Sequence, residues 1–243
     1  MADAMGAMAS EQGEDAAQAA KQAMVIAAHP DDLEFGCGGT IAKLARQGVE
    51  IRLVLLTSGD KGSHDPGVRP GQLATTREAE QRAAAEVLGI REVIFLRYAD
   101  GVVENTLALR AQLAHLIRRH KPQIVFAIDP WKLYQLHPDH RAAGYAALDA
   151  IYAAREWNIF AEQLFGDEEP WRVSEVWLFW TDHADHYEDI GETVAIRVEA
   201  LTKHVSQVGQ RLDKLDENIR KRAQAVGEKA NLAYAEEFKR IEF

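Results

Sequence analysis

Cysteine is almost absent from this chain. Its 243 residues contain one, Cys37, so no intrachain disulfide can form and no cysteine cluster can hold a structural zinc. A lone thiol fits a reducing, cytoplasmic setting. Long apolar runs are missing too: nothing nears the roughly 18 residues of a membrane span, which predicts no membrane partner. Positive charge is in deficit. Lys plus Arg number 28 against 38 Asp plus Glu, a formal net charge of −10. That argues against a nucleic-acid partner, because counterion release needs a basic face. What is plentiful is core material. Hydrophobic residues make up 47% of the chain, and at this length about 70% of the unfolded surface is buried on folding. That is enough for one large domain.

The first 22 residues are rich in Ala and carry Met1, Met5 and Met8. They lack the basic and apolar regions of a secretory signal and read as a disordered or expression-derived tail. Residues 23–243 read as a single domain. Ala23–Ala28, Glu50–Thr57, Glu92–Leu96, Gln123–Ile128 and Glu175–Trp180 are apolar runs of strand length. Between them lie helical stretches at Gly39–Gln47, Gln72–Leu88, Thr106–His120 and Asp139–Arg155. Ser58–Gly71, with its Gly and Pro, reads as a long loop able to close over a substrate. From about residue 192 the pattern predicts helix, at Glu192–Val208 and again at Arg211–Ala225. Strand and helix in alternation imply an α/β fold of three layers, helix–sheet–helix, with a mostly parallel central sheet. The usual strand order is 3-2-1-4-5, which makes strands 1 and 4 neighbours at the switch point where ligands bind.

Chemistry-bearing residues follow those two strands. Strand 1 runs into His29-Pro30-Asp31-Asp32, and strand 4 is followed by His137-Pro138-Asp139-His140. His29, Asp32 and His140 together offer two imidazole nitrogens and one carboxylate, the donor set of a catalytic metal with an open position. Adjacent loop side chains diverge, so one of Asp31 and Asp32 can bind metal while the other faces the attacking water as a base. With His140 a ligand, His137 can face the substrate oxygen and steady the oxyanion, preferably as imidazolium. These parts suit hydrolysis of an amide or ester. Two His and one carboxylate also make the triad of a non-haem iron oxygenase. A non-catalytic sugar- or nucleotide-binding module is a further alternative on such a sheet.

Ala28-His29-Pro30-Asp31-Asp32 with Glu34 to Thr40, and His137-Pro138-Asp139-His140, resemble the two signatures of the LmbE-like, PIG-L deacetylase family. Arg77-Glu78-Ala79-Glu80, Asp100-Gly101, and Ala200-Leu201 with His204, Ser206 and Gln207 extend the resemblance. It implies a Rossmann-like fold and zinc-dependent removal of an N-acetyl group from an N-acetylglucosamine-containing small molecule. By the family pattern His29, Asp32 and His140 hold one Zn2+ per chain. Asp31 matches the general base and His137 the residue that polarises the carbonyl or protonates the leaving amine. Arg77 and Asp100 match sugar contacts. The resemblance also implies a homo-oligomer, a trimer or hexamer.

Glu34 reads as an outer partner of a metal-binding His. Gly36–Thr40 lacks the spacing of a dinucleotide fingerprint and reads as close packing of loop and helix. Cys37 reads as an inert buried thiol. Asp182, His183, Asp185, His186 and Asp189 read as a solvated loop, and Trp171, Trp177 and Trp180 as core or interface. The charged helix from Arg211 reads as a solvated face or an oligomer contact.

Overall fold

Apolar runs of five to eight residues build the centre of the sheet. A computed structural model describes residues 21–166, 168–209 and 212–243. The expected tail therefore lies outside the described residues except for Lys21 and Gln22, as does Arg211. Strands β1 (Gln22–Ala27), β2 (Glu50–Thr57), β3 (Glu92–Tyr98), β4 (Ile124–Ile128) and β5 (Glu175–Phe179) pair in parallel in the order 3-2-1-4-5. The aliphatic residues of the central strands, such as Val25, Ile26, Leu53, Val54 and Val125, are fully buried, as a sheet covered on both faces requires, while those of the edge strand β3 are half-buried. Helices α1 (Asp32–Arg46), α2 (Pro70–Leu88), α3 (Leu107–His120) and α4 (Pro138–Ala154) connect them. Helix α3 packs on α4, while α1 and α2 both pack on α5 (Val194–Thr202). Those two helix groups make the outer layers. Among the described residues no helix is long and apolar enough to cross a membrane.

The C-terminal third departs from the expected pattern. Helix α5 is shorter than expected, α6 (Val205–Val208) is a single turn, and α7 (Leu212–Gly227) follows. The chain then turns back as β7 (Ala235–Glu242), which lies antiparallel between β5 and β6 (His186–Asp189). The sheet is thus seven-stranded, in the order 3-2-1-4-5-7-6. Neither β6 nor β7 shows apolar alternation, because charged residues occupy buried positions and are neutralised across the fold. Arg240 makes a two-pronged contact with Glu175, and His186 lies 2.9 Å from Glu188. Of the residues expected in a solvated loop after strand 5, Asp182, His183, Asp185 and Asp189 are exposed, whereas His186 is buried beside Glu188 in β6.

Helix α1 also begins earlier than expected, at Asp32 rather than Gly39, and is broken at Cys37, where φ is −146°. An ion pair stitches the break. Arg197 donates to the carbonyls of Glu34 and Phe35 at 2.9 and 2.6 Å. Its partner Glu236, 3.1 Å away, accepts from the N–H groups of Gly39 and Thr40 at 2.9 and 2.7 Å. The glycines here do allow close packing, since a Cβ on Gly36 would sit 2.3 Å from the buried Phe179 ring. Cys37 is buried, and burial pushes its thiol pKa well up, so it stays protonated and unreactive.

A second buried cation staples the opposite layer. Arg118 on α3 is fully buried and donates to five carbonyls, those of Ala153, Ala154, Glu156, Ile159 and Phe160, and to Gln163 Oε1. Replacing it with Met keeps the bulk and leaves those acceptors unpaired. R118M is expected to lose about 3 kcal/mol of stability, read as a lowered urea midpoint at unchanged slope.

Candidate metal centre

Both His-Pro-Asp segments converge at the carboxyl ends of β1 and β4, the switch point of the sheet. His29 follows β1 by one residue, Ala28. His137 and His140 flank the start of α4, with Pro138 at its first position, where a missing N–H costs nothing. The rings of His137 and His140 stack at 4.5 Å, and that of His29 lies 4.6 Å from His137 and 5.3 Å from His140.

Hydrogen bonding decides which nitrogen of His29 is free. Nε2 lies 3.0 Å from Asp100 Oδ1 and 3.1 Å from Asp139 Oδ2. Ionised carboxylates only accept, so the Nε2 proton must point at them, and Nδ1 is left to bind a cation. Nδ1 faces Asp32 Oδ2 at 3.5 Å. On the far side, His140 Nε2 lies 3.2 Å from Asp32 Oδ1. Asp32 itself is fastened by the backbone: its Oδ2 accepts from Ala28 and His29 N–H at 3.1 and 2.9 Å.

Among the described residues, two sets of three donors lie within 4.8 Å of one another: His29, His137 and His140, and His29, Asp100 and Asp139. The expected trio of His29, Asp32 and His140 shares two members with the first, Asp32 turning one oxygen to each imidazole. The second set is already committed. Asp139 accepts from Gly101 and Val103 N–H at 2.7 and 3.0 Å, and Asp100 from Lys61 N–H at 2.8 Å. Both act behind His29. The expected trio is not itself one of these sets, and His29 and His140 face different oxygens of Asp32, yet its donor types, two imidazoles and one carboxylate, suit a divalent ion.

The electrostatics match a cation site. Asp32, Asp100 and Asp139 are all buried around one imidazole. Burial opposes a charge on His29, but contacts with Asp100, Asp139 and Asp32 outweigh it and push its pKa up to about 11. Burial likewise opposes ionisation of Asp32, yet His140 and His29 hold it far below the ordinary carboxylate range. For His137, burial and the neighbouring His29 and His140 lower the pKa, which favours the neutral ring over the expected imidazolium. A neutral ring still donates one N–H.

Asp31 points elsewhere than Asp32, as expected. Its carboxylate lies 3.2 Å from Arg77. Burial pushes its pKa up to about 7, with Arg77 pulling it down and Asp32 pushing it further up. Arg77 and Asp100, expected at the sugar, are 4% and 5% exposed. Arg77 also donates to the carbonyls of Gly59 and Pro30 at 3.0 and 2.6 Å. Both residues are bonded to protein groups beside the site. Glu34 does not reach a metal-binding His; its partners are Gln81 and His204. Three site residues escaped sequence reasoning. Asp139 sat in plain view inside the second motif. Gln81 is one helical turn from Arg77. Trp180 ends the β5 run and lays its ring 5.2 Å from His140, so it belongs to the site as well as to the core edge.

Beside the site a cavity of about 410 Å³ is lined by Ser58, Asp60, Thr75, Glu78, Arg82 and Arg97. Arg97 lowers the Glu78 pKa to about 2, burial opposing and Ser58 and Arg82 assisting. A depressed folded-state value contributes stability above the unfolded value near 4.5 that is lost as pH falls towards 2. The Tm of the wild type is therefore expected to fall more steeply than that of E78Q between those limits. Arg97 is mostly solvent-exposed, so the difference is modest.

Fold and site together define an α/β protein that gathers imidazoles and carboxylates for a divalent ion at its switch point. Comparison with known proteins makes this specific. The profile of the PIG-L family, GlcNAc-PI de-N-acetylase, matches residues 24–151. Diacetylchitobiose deacetylase of Thermococcus kodakarensis is 33% identical over 187 residues, 77% of this chain and 70% of that protein. The structure of N,N'-diacetylchitobiose deacetylase from Pyrococcus horikoshii superposes with a TM-score of 0.89 at 31% identity, over 94% of this chain and 86% of that one. A 1D-myo-inositol 2-acetamido-2-deoxy-alpha-D-glucopyranoside deacetylase of Thermobispora bispora is 29% identical over 182 residues, 65% of this chain and 58% of that protein. The chain belongs to the PIG-L family.

Proposed function

We propose that this protein is a zinc-dependent hydrolase that removes the N-acetyl group from a small N-acetylglucosamine-containing molecule. The observation that carries the reading is the pairing of Asp32 between His29 and His140, with Asp31 turned aside from them. Its relatives, named as deacetylases of N-acetylated amino sugars, support the substrate class. His29 Nδ1, Asp32 and His140 would hold the ion, which when bound supplies Lewis-acid polarisation of the acetyl carbonyl and the attacking water.

The rest is the work of side chains. Asp31 takes the proton of the water and passes it to the amine nitrogen as the C–N bond breaks, leaving acetate and free amine, and Arg77 holds its carboxylate in place. His137, the most exposed of the three imidazoles, faces incoming substrate and donates its N–H to the developing oxyanion. Asp139 and Asp100 keep the Nε2 proton of His29 fixed, so that Nδ1 remains the donor. An oxygenase with the same donor trio would have no use for a carboxylate and an imidazole placed as Asp31 and His137 are. A binding module would have no use for a base. Residues 23–243 act as one domain in this reading, the enzyme is a cytoplasmic homo-oligomer, and its ion is one zinc per chain.

The test is a panel of N-acetylglucosaminyl compounds, including diacetylchitobiose and an N-acetylglucosaminyl inositol, assayed for free amine and acetate. Elemental analysis and sedimentation are run on the same preparation. Amine release from at least one compound, dependent on bound zinc, supports the reading. Silence across the panel by a zinc-loaded sample sinks it.

A further inference from the structure

Among the proposed catalytic residues, Asp31 alone has a strained backbone. At φ 84° and ψ −20° it lies in the left-handed region that side chains other than glycine avoid. That turn is what sends the Asp31 carboxylate away from Asp32, so whatever enforces it also aims the base.

Helix α2 grips the peptide between Pro30 and Asp31 at both ends. Arg77 donates to the Pro30 carbonyl at 2.6 Å, and one turn further on Gln81 Oε1 accepts from the Asp31 N–H at 3.0 Å. Residues four apart on a helix share a face, so one rigid element fixes the whole peptide plane. Rotation of that plane about the N–Cα bond of Asp31 is φ itself.

Gln81 can accept from Asp31 only with its oxygen facing the loop. Glu34 fixes that orientation: Gln81 Nε2 donates to Glu34 Oε1 at 2.7 Å, which leaves the Gln81 oxygen for the loop. Both side chains are fully buried. The other Glu34 oxygen lies 3.4 Å from Nε2 of His204, also fully buried, which closes the row from the C-terminal segment.

We propose that Gln81, oriented by Glu34, is a positioning residue for the deacetylation: it locks the Pro30–Asp31 peptide and thereby the direction of the Asp31 carboxylate. This rests on Asp31 being the base. The role is distinct from that of Arg77, which also touches the carboxylate directly.

Two variants test it. Q81M keeps the length of the side chain and removes both hydrogen bonds. The exchange E34Q/Q81E restores both at the same total charge. The carboxylate, moved to position 81, would accept from the Asp31 N–H and from the amide, moved to position 34. With each enzyme loaded with zinc and assayed on the best compound of the panel, Q81M is expected to keep its zinc and a KM within about twofold. Its kcat should fall about 10- to 100-fold, the scale of a misplaced catalytic group. E34Q/Q81E should recover kcat to within about threefold of wild type, which loss of packing alone would not allow. Crystal structures should show Asp31 φ displaced in Q81M and restored in the exchange. Wild-type kcat in Q81M, or an exchange variant as slow as Q81M, overturns the inference. Should Q81M not fold, Q81N, one methylene short of both partners, takes its place with the same expectations. If the wild type turns over nothing, the functional reading fails by itself. Asp31 φ in the variant crystals then still decides the clamp, and an unchanged value overturns it.

Discussion

Asp31→Asn is expected to retain one zinc per chain and lose about 10²–10⁴ in kcat, the usual contribution of a positioned general base. The substitution isolates the proton-accepting function. Asn tolerates the left-handed conformation at this position better than other side chains. Its amide oxygen can still accept from Arg77, which lies 3.2 Å from the carboxylate in the wild type. What it cannot do is take a proton from water. Metal analysis beside steady-state kinetics checks the prediction. A variant within tenfold of wild-type kcat would remove Asp31 from the mechanism, whatever the metal content.

The second large effect separates the two donor sets around His29. His140→Ala is expected to lose its zinc on dialysis and, with it, activity down to background. It removes one of three donors, and Asp32 Oδ1 loses the imidazole that faces it at 3.2 Å. Asp139→Asn acts one layer further out. It weakens the contact that fixes the Nε2 proton of His29, so zinc affinity should drop about 10- to 100-fold while binding persists. Competition with a chelator of known affinity measures both. Should D139N abolish binding while H140A keeps it, the ion belongs with His29, Asp100 and Asp139, and the proposed ligand set is wrong.

Why some of this was legible in the sequence is a matter of locality. Four of the five parallel strands announced themselves because they are buried on both faces and so read as apolar runs, and β3, only half-buried, still carries the apolar run Val93 to Leu96. The two His-Pro-Asp segments stood out because one follows the first apolar run directly and the other comes in the loop after the fourth. Strand β7 did not, since Glu236 and Arg240 are acceptable inside the fold only through Arg197 and Glu175, far away in the chain. The start of α1 was misplaced for a related reason. Its break at Cys37 is repaired from α5 and β7 rather than by any local cap.

The same distinction separates the residues of the site. By itself the sequence determined the parallel core, the family, and which residue types stand at the ends of β1 and β4. The core and the residue types follow from hydrophobic patterning and from position within short segments, and the family from the resemblance of two motifs. Only the tertiary structure decided which nitrogen of His29 faces Asp32, because Asp100 and Asp139, 71 and 110 positions away, claim the other. It alone showed Arg77 bonded to Pro30 and Gly59, and Asp100 to His29 and Lys61. It alone tied Asp31 to Gln81 and Glu34. A hydrogen bond between distant residues leaves no periodic trace in either partner, so its direction is settled only when the fold brings donor and acceptor within about 3 Å.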